Sequence, residues 1–130
     1  MNSVSSQVSG DLLITGGRLV DGDGSQRDNP GVRVRDGRLV ALGADALAAT
    51  RAATERVNAD GWVIAPGFID LCCNLREPGN GQKGNIASEA RAAAHGGFTT
   101  VCASPETSPV NDSSAVTHLI RDGAASRSPI

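Results

Sequence analysis

Apolar and polar positions divide the chain into two differently patterned halves. In the first, short apolar-rich runs of strand length are separated by glycine turns: Asp11–Thr15, Arg18–Val20, Val32–Arg35, Leu39–Leu42 and Trp62–Ala65. Asp36-Gly37 stands where a tight hairpin turn would. Together these predict a small antiparallel β-unit. Between its last two strands, the alanine-rich stretch Asp45–Arg56 suits a short helix with a weak apolar face.

After Pro66-Gly67 the pattern changes. Phe68–Cys73 is apolar except for Asp70, as expected of a parallel strand covered on both faces. Ile86, Ala90, Ala93 and Ala94 recur at helical spacing, with Asn85 as a candidate N-cap and Gly96-Gly97 as a stop, which predicts a helix over Ile86–His95. Phe98–Ala103 has the character of a second buried strand. Asp112 or Ser113 can then cap a second helix running through Val116, Leu119 and Ile120. Strand, helix, strand, helix after a β-segment predicts an α/β protein, either a β/α barrel or a doubly wound sheet. Neither closes with two parallel strands, and a barrel takes roughly 250 residues. The expected division is a loose tail over residues 1–10, a flanking β-sandwich segment over 11–66, and the first two β/α units of an incomplete barrel over 67–130.

Composition narrows the partners. A hydrophobic share of 39% and a charged share of 20% suit a soluble globular domain. A formal charge of -2 and only 2% aromatic residues offer a polyanion neither a basic field nor stacking surfaces, so no nucleic acid is expected. No apolar run approaches the roughly 20 residues that cross a bilayer, and the start lacks the charged and apolar regions of a secretory signal. Three cysteines, Cys72, Cys73 and Cys102, form no disulfide framework. They are expected to be packing residues without a redox role, in a reducing cytoplasm.

The segment Val63-Ile64-Ala65-Pro66-Gly67-Phe68-Ile69-Asp70-Leu71 resembles the signature of the amidohydrolase superfamily. There a strand of the flanking β-domain turns through Pro-Gly into the first strand of a metal-dependent (β/α)8 barrel. Leu75-Arg76-Glu77-Pro78-Gly79, Lys83-Gly84-Asn85-Ile86 and Ala92-Ala93-Ala94-His95-Gly96-Gly97-Phe98-Thr99-Thr100-Val101 are similar to the dihydroorotase branch. The resemblance spans about residues 11–122. It implies that Arg76 corresponds to the arginine that holds the substrate carboxylate, a role suited to a planar fork of donors.

The resemblance also exposes departures. Catalytic members end the first barrel strand in His-x-His, two imidazoles on one face reaching the same metal ion. Here those degenerate ligand positions are Cys72 and Asn74. A thiolate can bind zinc, but a neutral carboxamide oxygen cannot reproduce the second nitrogen ligand. The expectation is therefore no metal and no cofactor, hence no nucleophilic water of pKa about 7 and no polarised carbonyl.

The family's Met-Pro-Asn-Thr run becomes Ser104-Pro105-Glu106-Thr107, so Glu106 brings an anion to where an anionic substrate would sit. The acidic pair that follows the lysine becomes Gly84-Asn85, which removes charge from the first helix start. These features look more like the inactive dihydroorotase-like chains of some bacteria, which assemble with the aspartate transcarbamoylase catalytic chain in pyrimidine biosynthesis. Such a subunit would work as a homo- or hetero-oligomer, with Arg76 and Glu106 as vestigial substrate-binding positions. The alternative is an active cyclic-amide hydrolase that holds zinc through ligands beyond Ile130.

Simpler readings stand beside these. Cys72 can be a small buried residue in space left by histidine. Cys73 should face the covering helices, and Asp70 can be a buried acid bonded to backbone or to a base. Arg76 can pair with Glu77 or another carboxylate in a structural network. His95 at a helix end and His118 on the second helix lie away from the strand ends.

Overall fold

The computed structural model describes residues 10–28, 30–48 and 54–130, which fall into two compact units, one running to Pro66 and the other covering Gly67–Ile130. Most of the tail expected over residues 1–10 lies outside the described residues.

The first unit holds β1 (Asp11–Thr15), β2 (Arg18–Val20), β3 (Gln26–Asp28), β4 (Val32–Arg35), β5 (Arg38–Leu42), helix α1 (Ala44–Ala48), β6 (Glu55–Asn58) and β7 (Val63–Ile64). They form a four-stranded sheet in the order β5-β4-β1-β6 and a three-stranded sheet in the order β3-β2-β7. The β4–β5 hairpin turns at Asp36-Gly37 as expected. Both residues take positive φ, 49° and 72°, which a two-residue turn of that hand requires.

Two expectations are corrected here. The unit is mixed, not antiparallel throughout, because β1–β6 and β2–β7 pair in parallel across long connections. The helix expected over Asp45–Arg56 is described only over Ala44–Ala48, and Arg56 belongs to β6. Residues 49–53 lie outside the described residues. Helix propensity gave way at Glu55-Arg56 to a sheet edge that β1 supplies.

Leu13, Leu19, Val32, Ala46 and Ala59 are buried here, and so is Arg33, at 1% exposure. A charge that deep requires a partner. The Arg33 guanidinium makes a two-point ion pair with Asp11 on the neighbouring strand, and the Thr54 hydroxyl donates to the same carboxylate at 2.8 Å. These donors, the Arg33 hydrogen bonds foremost, hold the Asp11 carboxyl well below the usual carboxylate range.

The second unit is β8 (Phe68–Cys73), α2 (Ile86–His95), β9 (Phe98–Ala103) and α3 (Ser114–Arg127), with β8 and β9 parallel. Its helix boundaries follow from local chemistry. Asn85 caps α2 by accepting from the Ser88 N–H, while the Ser88 hydroxyl accepts from the Asn85 N–H, and Gly96 closes the helix. Ser113, of the two candidates, caps α3.

Leu75, Ile86, Val116 and Ile120 form the core, with Cys73, Val101 and Ala103 packed against it from the strands. Leu119 points elsewhere and is 58% exposed. β8 is likewise not covered along its length among the described residues: the helix-side core takes Cys73, while Phe68, Ile69 and Leu71 are exposed. Among the described residues, no helix is long and apolar enough to cross a membrane.

Candidate functional site

Parallel pairing decides where the candidate residues gather. β8 and β9 run together from the Phe68 N–H to Gly97 carbonyl bond to the Ser104 N–H to Cys73 carbonyl bond, at 2.9 and 2.8 Å. The segments after both strands therefore leave from the same, carboxyl end of the sheet, where barrel proteins carry their chemistry. Cys72, Asn74 and Arg76 arrive there from β8, and Glu106 from β9.

Their surroundings differ. Cys72 and Asn74 are exposed, so the reading of Cys72 as a buried space-filler is corrected. Cys102 is exposed as well and is not the packing residue expected. The reason is strand alternation: Cys73, Val101 and Ala103 take the helix-facing positions. Burial, followed by the charges of Asp70 and Glu89, pushes the Cys73 thiol up. Asp70 is half-buried, and its carboxylate accepts from the Cys72 N–H at 2.9 Å, which accords with its structural reading.

Arg76 is half-buried with φ at 67°, a left-handed conformation uncommon outside glycine. Its carbonyl accepts from the Asn80 N–H at 2.8 Å, closing a turn, and its side chain passes Gly84. The proposed Arg76–Glu77 pair does not form. Glu77 instead accepts from the Ile86 N–H at the start of α2 and pairs with Arg127 at the end of α3, both at 2.9 Å. Among the described residues Arg76 enters no ion pair. Glu106 is exposed, with its N–H donating to the buried Ser104 hydroxyl at 3.2 Å. Arg76 and Glu106 thus share one end of the sheet without joining.

The start of α2 is not stripped of charge as expected. Glu77 reaches it from the preceding segment, and Glu89 in its first turn lies against Gly84, where any Cβ would collide with the carboxylate. The Glu77–Arg127 strap, which sequence reasoning missed, also walls an open groove of about 540 Å³ lined by Ile86, Leu119 and Ile120. An acid shortly before a capped helix was its one available signal.

The donors at the strand end suit a metal poorly. Among the described residues, no three His, Cys, Asp or Glu side chains converge on one point. Cys72 and Asn74 offer one thiol and one carboxamide, while His95 and His118 are exposed on α2 and α3.

A family model described as dihydro-orotase-like matches residues 61–125, half of the 130-residue chain. The chain belongs to the dihydroorotase-like family. It is 44% identical over 113 residues to a dihydroorotase-like protein of Pseudomonas putida, an alignment covering 87% of this chain and 26% of the relative. It is 45% identical over 114 residues to the dihydroorotase of Anaeromyxobacter dehalogenans strain 2CP-C, covering 88% of this chain and 26% of that one.

Among solved structures, L-hydantoinase (dihydropyrimidinase) from Arthrobacter aurescens superposes with a TM-score of 0.73 at 26% identity, over 88% of this chain and 25% of that one. Molinate hydrolase gives 0.65 at 25% identity, over 91% and 27%. This dihydroorotase-like chain spans about a quarter of the length of the curated relatives it matches. Its fold is that of the amidohydrolase barrels: a small β-rich segment followed by two β/α units of an incomplete (β/α)8 barrel.

Proposed function

We propose that this dihydroorotase-like chain belongs to a non-catalytic cytoplasmic subunit that supports aspartate transcarbamoylase assembly in de novo pyrimidine biosynthesis. The observation that carries the reading is the carboxyl end of β8, which presents the Cys72 thiol and the Asn74 carboxamide where catalytic relatives place two imidazoles. Without two nitrogen ligands the ion that activates water and substrate loses its first anchor. The exposed Glu106 carboxylate leaves the same end of the sheet and disfavours an anionic substrate beside Arg76. The transcarbamoylase partnership rests on the resemblance of Lys83-Gly84-Asn85-Ile86 and Ser104-Pro105-Glu106-Thr107 to inactive family chains.

One observation favours a second reading. Among the described residues Arg76 stands at the strand end in no ion pair, as a carboxylate holder would. In that case the complete protein is a zinc-dependent cyclic-amide hydrolase that interconverts carbamoyl aspartate and dihydroorotate through ligands outside these residues.

Metal content and dihydroorotase activity of the complete gene product, purified with and without added zinc, separate the two readings. The subunit reading expects metal-free, inactive protein that co-elutes with the aspartate transcarbamoylase catalytic chain. Stoichiometric zinc with turnover would overturn it.

A further inference from the structure

Two of the three cysteines meet on the open face of the β8–β9 pair. Cys73 on β8 and Val101 and Ala103 on β9 pack toward the helices, so alternation turns Cys72 and Cys102 to the opposite face, where both are exposed. The register brings them side by side. Asp70 partners Val101 and Cys73 partners Ala103, with an irregularity between, so Cys102 faces the Leu71-Cys72 step. Adjacent strands lie about 4.8 Å apart, so residues facing one another across this step come within reach of the roughly 4.4–6.8 Å Cα window that a disulfide requires. Cys73 is a poor competitor, since its side chain points to the other face and burial suppresses its thiolate.

We propose that Cys72 and Cys102 form a cross-strand dithiol that closes to a disulfide by exchange with a small-molecule disulfide of the glutathione type. One cysteine thiolate attacks a sulfur of the oxidant, breaking its S–S bond and releasing one thiolate. The second cysteine thiolate then attacks the mixed disulfide and releases the other. Two protein thiols lose two electrons in all, the oxidant gains them, and the two cysteine protons pass to the leaving thiolates. The product ties β8 to β9 and withdraws the Cys72 sulfur from any other ligand.

The test is exposure of the complete protein to oxidised glutathione, followed by thiol blocking, tryptic digestion without reduction and mass mapping. A cross-link between peptides 57–76 and 92–121, lighter than their sum by two hydrogens, is expected in the native sequence and in Cys73→Ser. It should vanish in Cys72→Ser and Cys102→Ser, leaving a glutathione adduct on the remaining partner. Persistence of the cross-link in Cys72→Ser, a Cys72–Cys73 bridge, glutathione adducts without a cross-link, or unmodified thiols would each overturn the proposal.

Discussion

The exposed apolar side chains of β8 set a quantitative expectation for the 130 residues expressed alone. Phe68, Ile69 and Leu71 keep 60, 61 and 80% of their surface exposed on one strand. Fully burying such a side chain is worth about 1.5–3 kcal/mol, so weighting by exposure leaves roughly 3–6 kcal/mol of burial unrealised. That is the scale of a whole domain's net stability, about 5–15 kcal/mol. The β8–β9 pair also presents unpaired edges among the described residues, a template for association. The isolated segment should therefore bind a dye such as ANS, melt broadly and associate as its concentration rises. Leu71→Glu should reduce association and dye binding, because it charges the most exposed of the three positions without touching the Leu75, Ile86, Val116 and Ile120 core. A sharp, cooperative melt of a monomer that binds no dye would refute this reasoning.

Three further expectations concern particular side chains. Cys72→His/Asn74→His in the complete protein should yield no dihydroorotase turnover, because the Glu106 carboxylate remains at the same end of the sheet; measurable turnover in a coupled or direct ultraviolet assay would contradict this. Glu77→Gln keeps an acceptor for the Ile86 N–H but removes the charge at the α2 start and the Arg127 pair. With these side chains 30 and 42% exposed, the loss should be only about 1 kcal/mol, read as roughly five-fold faster amide exchange in the first turn of α2. Unchanged exchange would show that the strap is idle. Asp11 has a native pKa below its unfolded value of about 3.9, so its contribution is complete above that pH and is lost as pH falls through the lowered native value. Asp11→Asn should flatten the acid limb of β-sheet circular dichroism, and superimposable acid titrations of the two proteins would refute the assignment.

What was legible in the chain was local chemistry. Asp36-Gly37, Asn85, Ser113 and Gly96 each announce a turn or cap through their own side chain or backbone freedom, and the structure uses all four in those roles. What was not legible depends on distant partners. Gln26–Asp28 is polar enough to pass for a loop and Glu55-Arg56 for a helix end, and both become strands because β2 and β1 lend them ladders. Arg33, in Val32-Arg33-Val34-Arg35, is buried because its guanidinium reaches diagonally to Asp11 on the neighbouring strand. At the candidate site, topology alone places Cys72, Asn74, Arg76 and Glu106 at one sheet end. Which charges pair there, Glu77 with Arg127 and not with Arg76, follows from where α3 ends.

The same separation explains how a family member can change its chemistry and keep its fold. Everything that closes the β/α units lies on the helix side of the sheet or along its flank: the Leu75, Ile86, Val116 and Ile120 core, the Asn85–Ser88 box and the Glu77–Arg127 strap. Cys72 and Asn74 lie outside that set, exposed at the strand end, and neither supplies a side-chain hydrogen bond to any of these elements. A change of side chain at those two positions therefore removes no contact on which these two helices depend. A metal-binding strand end is in this sense separable from the scaffold that presents it. A subunit retained for its surface could lose the first and keep the second.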